Sequence, residues 1–140
     1  MAIAEARLPI LGEDDIVLSR QRARELARQL GFGAVDQSRI ATAVSELARN
    51  VVRYATNGRG EVTIRTISAA AGQREREGIE IVVTDEGPGI PDVDQALRDG
   101  FTSGGGMGMG LPGTRRLMDE MSIASEVGRG TTVTIRKWRR

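Results

Sequence analysis

Apolar residues recur at helical spacing in two stretches near the start of the chain. The first predicted helix begins at an N-cap aspartate, Asp14 or Asp15, and ends where Gly31 and Gly33 interrupt the pattern. The second spans about residues 35–55 and ends at a polar Thr-Asn-Gly segment. The stripes expected to face the core are Ile16, Ala23, Leu26, Ala27 and Leu30 in the first helix, and Ile40, Val44, Leu47 and Val51 in the second.

Strand-like runs dominate the rest of the chain. Strands are predicted at residues 3–10, 61–68, 79–84, 121–126 and 131–138. The polar segment 71–78 is expected to be a hairpin loop, a short helix to follow Pro91, and another helix to cover residues 111–120. Helices followed by hairpins predict an α+β two-layer sandwich, with a mixed, mostly antiparallel sheet covered on one face by helices. We expect residues 1–140 to form a single domain.

The composition narrows the chemistry that such a fold could carry. The absence of cysteine and histidine excludes disulfides, thiolate or histidine metal sites and Ser-His-Asp triads. Because Lys137 is the only lysine, a Walker-type phosphate loop and the common protein-kinase fold are also excluded. The net charge of +1 does not indicate a nucleic-acid partner, and the apolar runs are too short to span a bilayer. We therefore expect a cytoplasmic protein that binds neither nucleic acid nor membrane.

The second predicted helix carries the first candidate site, Glu46-Leu-Ala-Arg-Asn50. Glu46 and Asn50 are four residues apart, so both project from one stripe beside the buried Leu47. A carboxylate can accept or orient a hydroxyl proton, and an asparagine carbonyl is a hard oxygen ligand suited to Mg²⁺. Taken alone, the pair is explained as well by a solvated helix face.

A second candidate site follows the apolar strand at 79–84, where the sequence reads Asp85-x-Gly87-x-Gly89. A carboxylate at the end of a buried strand lies at a pocket edge, and glycines let a planar group approach the backbone. Asp85 could accept a hydrogen bond from an adenine amino group, although Asp, Gly and Pro are also ordinary turn residues. Gly128-x-Gly130-Thr131 precedes the last strand, and Thr131 could share that contact or be an ordinary strand threonine.

A glycine-rich segment, residues 102–110, leads directly into the helix predicted near Leu111. Backbone amides of such a loop can bind phosphate, and glycine lets the loop close and reopen. A surface linker is the alternative, but a linker would not usually enter an amphipathic helix directly. The candidate residues here are Ser103, Gly104, Gly105, Gly106, Gly108 and Gly110.

Taken in order, these motifs resemble the Bergerat ATP-binding fold, the superfamily of gyrase B, heat-shock chaperone, histidine kinase and mismatch-repair ATPases. The resemblance covers about residues 8–138. Within the superfamily, the chain is most similar to the small serine/threonine kinases of bacterial sigma-factor partner switching, the RsbT-type stressosome switch kinases. The segments behind this resemblance are Gly31-Phe-Gly, Val35-Asp-Gln, Ser45-Glu-Leu-Ala-Arg-Asn50, Asp85-Glu-Gly-Pro-Gly-Ile-Pro-Asp92, Asp99-Gly-Phe, Gly110-Leu-Pro-Gly113, Arg116-Leu-Met-Asp-Glu120 and Lys137-Trp138.

The resemblance implies ATP and Mg²⁺ as cofactors and assigns roles to the candidate residues. Asn50 would coordinate Mg²⁺, and Glu46 would act as the base or orient the attacking hydroxyl. Asp85 would bind the adenine amino group with help from Thr131, while Gly87 and Gly89 shape the purine slot. Residues 104–110 would form the lid over the phosphates. The implied partners are a STAS-domain antagonist or scaffold protein, which is phosphorylated, and a metal-dependent protein phosphatase, which is activated by binding.

Three alternatives stay open at this point, and so does a homodimer. The chain could be an anti-sigma factor that sequesters a sigma subunit in an ATP-gated way. It could be a degenerate nucleotide-binding adaptor, although retention of Glu46 and Asn50 argues against that. It could also be a histidine kinase catalytic module that acts in trans. The segments 110–113 and 116–120 favour the switch kinase over the anti-sigma factor.

Overall fold

The computed structural model describes residues 5–55, 59–71, 74–87 and 111–140. The helices in these ranges are α1 (Glu13–Gln29), α2 (Ala34–Tyr54) and α3 (Leu111–Leu117). The strands are β1 (Glu5–Ile10), β2 (Gly60–Ala71), β3 (Arg74–Asp85), β4 (Glu120–Glu126) and β5 (Gly130–Trp138). The helix predicted after Pro91 and the glycine-rich segment 102–110 lie outside the described residues.

The five strands form one sheet in the order β1-β2-β3-β5-β4, and each described pair of neighbours is antiparallel. The predicted two-layer α+β sandwich is confirmed, but no parallel pairing occurs within the described ranges. The helices cover one sheet face. Their buried stripes meet the apolar face of the central strands, and the largest fully buried side chains of this core include Ile40, Leu47, Val51, Ile64, Ile81 and Ile135.

The start of α1 differs from the prediction. Its N-cap is Gly12, which makes no side-chain cap, rather than Asp14 or Asp15. Asp15 instead reaches back, and its Oδ2 accepts a hydrogen bond of 2.8 Å from the Leu11 N–H. The aspartates therefore lie inside the first turn, where a negative charge also interacts favourably with the helix dipole. The predicted end is confirmed, since Gly31 adopts a φ of 89° that favours glycine.

The β2–β3 hairpin is longer than the sequence predicts. Pairing continues to Ala71↔Arg74, so most of the segment 71–78 expected to be a loop is strand. Contacts from the C-terminal end of the chain hold this part of the hairpin in place. Arg76 stacks over the Trp138 ring at 4.4 Å from its centroid, and the Glu77 carbonyl accepts a 2.8 Å hydrogen bond from the Arg139 N–H. Because these partners lie about sixty residues away in sequence, local polarity gives no sign of them.

A row of alternating charges crosses the sheet face opposite the helices. The register places Glu5, Arg65, Glu80, Arg136 and Glu120 side by side on the five strands. Glu80 is buried, and it accepts hydrogen bonds from Arg65 Nε at 2.6 Å and Arg136 Nε at 2.7 Å. Burial alone would raise the pKa of Glu80, but the two arginines outweigh it and hold the pKa below its ordinary value. The row therefore ties β2, β3, β5 and β4 together by charge.

The third helix is shorter than the predicted 111–120 because sheet pairing takes over early. The Asp119 N–H donates to the Arg136 carbonyl at 3.0 Å, and Glu120 is already paired with Arg136. β4 and β5 otherwise follow their predicted ranges to within a residue. No helix in the described ranges combines the length and hydropathy needed to span a bilayer.

Candidate active site

Asp85 is the last residue of β3, at the end of the strand, where the chain leaves the core. Its Oδ1 accepts a 2.8 Å hydrogen bond from the Gly87 N–H, and its carboxylate also accepts one from the Thr131 N–H of the neighbouring strand. The register pairs Asp85 with Thr131. Two backbone donors thus fix the orientation of the carboxylate and leave it with further acceptor capacity.

Burial raises the pKa of the Asp85 carboxyl above its ordinary value, although the Gly87 and Thr131 N–H groups act in the opposite direction. A carboxylate that is partly removed from water, and whose hydrogen bonds offset only part of the cost of burying its charge, is characteristic of a functional site. A ligand that donates a hydrogen bond to Asp85 would offset the rest of this cost. The side chain is therefore suited to bind an amino group such as that of adenine.

Close backbone approach requires glycine on both sides of Asp85. A Cβ on Gly130 would lie 2.0 Å from the Asp85 carbonyl oxygen, and the φ of Gly130 is +119°. A Cβ on Gly60, which pairs with Asp85 from β2, would lie 2.3 Å from the Thr84 carbonyl oxygen. The backbone of β3 at Asp85 is thus approached closely by Gly60 of β2 and by Gly130, which precedes its partner Thr131 on β5.

The second half of α2 lies next to this strand end. The Cβ position of Gly60 is 2.8 Å from Val51 Cγ1 and 3.4 Å from Asp85 Cβ. Val51 follows Asn50 directly, so the helix turn that carries Asn50 adjoins the end of β3. The structure therefore brings together the two parts of the chain, around residues 50 and 85, that the sequence predicts to share a site.

Glu46 and Asn50 occupy neighbouring turns of α2 and are both half-buried. Arg49 Nη1 donates a 2.7 Å hydrogen bond to Glu46 Oε1, and the two side chains retain exposures of 34% and 36%. The ion pair fixes the Glu46 carboxylate at the helix surface while leaving it accessible to a reactant.

Thr131 is buried, and its side chain contacts the neighbouring strand β4. Its Oγ1 forms a 3.0 Å hydrogen bond with Ser125 Oγ, which also donates to the Gly130 carbonyl at 3.2 Å. It is the Thr131 backbone that contacts Asp85. Ser125 is therefore a supporting residue that sequence reasoning missed, because it is visible only once β4 is paired with β5.

Several predicted site residues lie outside the described residues, so their positions stay predictions. These are Gly89, Ser103, Gly104, Gly105, Gly106, Gly108 and Gly110. Gly60 lies beside the site but was not among the predicted residues. Its only sign in the sequence is a glycine at the start of a strand.

The donor groups fit a magnesium nucleotide better than a metal held by protein alone. Within the described ranges there is no cluster of three or more acidic, histidine or cysteine side chains that could hold a metal ion. Mg²⁺ bound to a nucleotide takes most of its ligands from phosphate and water and needs only one or two protein oxygens. Asn50, on the helix turn that adjoins the end of β3, carries an amide oxygen of the kind that could supply one.

This fold and site define a class of protein. The chain belongs to the family of histidine kinase-, DNA gyrase B- and HSP90-like ATPases, whose family model matches residues 35–140. It is 49% identical over 131 residues to the serine/threonine-protein kinase RsbT of Bacillus subtilis (strain 168), covering 94% of both chains. It is also 36% identical over 103 residues to the anti-sigma F factor of Geobacillus stearothermophilus, covering 70% of this chain and 66% of that one.

A solved structure agrees with the fold. The Mycobacterial sensor histidine kinase MprB superposes with a TM-score of 0.55 at 20% identity, covering 98% of this chain and 99% of that one. The resemblance inferred from the sequence is thus confirmed at the level of family and fold. The predicted enzyme class is also supported, since the chain belongs to an ATPase family and a relative matching nearly its whole length is a serine/threonine-protein kinase.

Proposed function

We propose that this protein is an ATP- and Mg²⁺-dependent serine/threonine kinase that phosphorylates a STAS-domain partner in sigma-factor partner switching. In this proposal it also activates a metal-dependent phosphatase by binding it. The observation that carries the proposal is the 49% identity, over 94% of both chains, to the serine/threonine-protein kinase RsbT of Bacillus subtilis. The Glu46–Arg49 pair and the half-buried Asn50 support the proposal, because they lie on α2, whose second half adjoins the strand end that carries Asp85.

The nucleotide would be positioned mainly by Asp85 and Asn50. Asp85 would accept a hydrogen bond from the adenine amino group, with its carboxylate already oriented by the Gly87 and Thr131 N–H groups. Asn50 would offer its amide oxygen to Mg²⁺, which offsets phosphate charge during phosphoryl transfer. Gly87, Gly89 and the residues 103–110 would line the slot and cover the phosphates, as the resemblance implies.

The transfer itself needs one group that handles a proton. As the partner's hydroxyl oxygen bonds to the γ-phosphorus, the bond between that phosphorus and the β-phosphate oxygen breaks and ADP leaves. Glu46 would accept the hydroxyl proton and release it to water. Arg49 would hold the Glu46 carboxylate in the orientation this requires, since the pair is already formed at 2.7 Å.

The decisive experiment is incubation of the protein with γ-labelled ATP and a panel of purified STAS-domain proteins, followed by mapping of the modified side chain. We expect label on a serine or threonine of the partner, stable to acid. Label that is acid-labile, as on histidine, would contradict the proposal, and so would no transfer to any member of the panel.

An anti-sigma factor is the second candidate function, because anti-sigma F factors match at 36% identity over 70% of the chain. Such a protein would retain a sigma subunit in a pull-down and release it when the nucleotide is exchanged. Retention of a sigma subunit, together with weak transfer to STAS proteins, would favour this second function over the switch kinase.

A further inference from the structure

An open groove lies beside the first half of α2, where that helix meets the end of α3. It encloses about 410 Å³ and is lined by Ala34, Val35, Ser38, Arg39, Thr42 and Leu117. Val35 is one of the few large apolar side chains that are exposed in the described residues, with 65% of its surface accessible. An apolar floor at the surface with one cationic side chain is suited to protein recognition.

The groove and the candidate base lie on one stripe of α2. Val35, Thr42 and Glu46 are separated by seven and four residues, which are two and about one turns of a helix, so they share one face. At a rise of about 1.5 Å per residue, Val35 lies roughly 16 Å and Thr42 roughly 6 Å from Glu46 along the helix axis. A protein that presents a hydroxyl to Glu46 can therefore contact the groove with the chain that flanks the hydroxyl.

Charges around the groove favour an acidic contact. Arg39 Nη1 is 3.0 Å from Asp36 Oδ1, but that carboxylate also lies 3.8 Å from Lys137 Nζ. Lys137 is in turn 3.9 Å from Asp119, which pairs with Arg140 at 2.9 Å. This chain of ion pairs contains three cations and two carboxylates, so it carries a net positive charge. Arg39, whose side chain is 51% exposed, is the member of this series of ion pairs that lies at the groove.

We propose that the groove docks the substrate protein of the kinase, and this proposal rests on the proposed function. The docked segment carries an apolar side chain that packs against Val35 and Leu117, and an acidic side chain that pairs with Arg39. An extended chain advances about 3.3 Å per residue, so an apolar side chain packed against Val35 lies about five residues from the phosphorylated hydroxyl. The groove would thereby select the substrate by its flanking sequence, while Glu46 and Asn50 act on any hydroxyl brought to them.

The test compares V35E with V127E, using the panel of STAS-domain proteins as the probe. Val127 is 67% exposed and lies in the turn between β4 and β5, so V127E adds the same charge away from the groove. We expect V35E to raise the KM for the STAS protein at least about tenfold with little change in kcat, because a carboxylate enters an apolar contact. Mg·ATP affinity by calorimetry should stay unchanged in both variants, and V127E should keep the wild-type KM.

A second variant, R39E, tests the charge contact. We expect it to raise KM as well, and reversal of one acidic residue within five positions of the phosphorylated hydroxyl to restore transfer. Wild-type KM for both V35E and R39E, with thermal unfolding unchanged, would overturn the docking proposal while leaving the kinase proposal standing.

Binding measurements separate the two proposals. Binding of a STAS protein to the wild type without transfer would contradict the kinase proposal, and loss of that binding in V35E but not in V127E would still support docking. No binding by any member of the panel would overturn the docking proposal.

Discussion

Arg49 Nη1 lies 2.7 Å from Glu46 Oε1, one helical turn away on α2. An exposed pair with this spacing usually contributes little to stability, so its position beside the candidate nucleotide site points to a role in orienting Glu46. Arg28 and Glu25 form a pair of the same spacing on α1, 3.5 Å apart and away from this site, and they serve as an internal control.

Glu46→Gln should retain Mg·ATP affinity and lower kcat for phosphotransfer by roughly 10²–10⁴-fold, the usual contribution of a general base. Arg49→Ala should lower kcat less, and the double variant should be no slower than Glu46→Gln, because both changes remove one function. Arg28→Ala should leave kcat unchanged. Full transfer by Glu46→Gln in a single-turnover assay would remove Glu46 from the proposed mechanism.

Asn50→Ala should abolish measurable Mg·ATP binding while the protein stays folded, because the amide oxygen is the protein ligand proposed for Mg²⁺. Calorimetry with Mg·ATP and far-UV circular dichroism measure the two parts of this prediction. Gln29→Ala removes an amide side chain from α1 and should keep wild-type affinity. Wild-type affinity in Asn50→Ala would show that residue 50 does not help to hold the nucleotide.

Asp85→Asn should weaken ATP binding at least about tenfold, because the amide presents an N–H where the adenine amino group needs an acceptor. The same substitution should remove the pH dependence of stability that the Asp85 carboxyl contributes to the nucleotide-free protein. With a folded-state pKa above the ordinary 3.8, Asp85 binds its proton more readily when folded, so stability falls as pH rises through that window.

The stability of the wild type relative to Asp85→Asn should therefore fall as the pH rises from 3.8 to above the raised pKa, and stay constant outside this window. Thermal unfolding of wild type and variant across this range measures it. Glu86→Gln, which neutralises the exposed neighbouring carboxylate, should change neither ATP affinity nor the pH profile. A relative stability of the wild type that rises with pH across this window would contradict the assigned pKa direction.

Gly130→Ala should destabilise the protein by about 2 kcal/mol or more, because a Cβ would meet the Asp85 carbonyl oxygen and a positive φ disfavours alanine. Gly113 in α3 is a matched control, since a Cβ there meets only the end of Arg116 at 4.0 Å. Gly113→Ala should be neutral or stabilising, as expected for a helical position. Denaturant unfolding compares the two, and equal midpoints would contradict the close approach between Gly130 and Asp85.

The sequence predicted the helices well because their apolar stripes are local signals, and Ile40, Val44, Leu47 and Val51 are all buried as expected. It misplaced the start of α1 because an aspartate inside the first turn can satisfy an N–H by reaching back, as Asp15 does. The strand pairing around residues 71–78 was not predicted, because it is held by Trp138 and Arg139 at the far end of the chain.

The candidate site was predicted as residue types but not as contacts. Glu46, Asn50 and Asp85 stand in recognisable motifs, whereas one of the two backbone donors that orient Asp85 comes from pairing with a distant strand. Asp85 meets the Thr131 backbone only because β3 lies beside β5. Arg49 was a local exception, since its i, i+3 spacing to Glu46 was visible in the sequence and was not used.

The single lysine of the chain is Lys137, and it is 7% exposed with its Nζ donating a 2.8 Å hydrogen bond to the Leu117 carbonyl. The folded surface therefore offers no accessible ammonium side chain. Reagents that acylate primary amines should therefore spare Lys137, so amine labelling leaves the side chains of the groove and the nucleotide site unmodified.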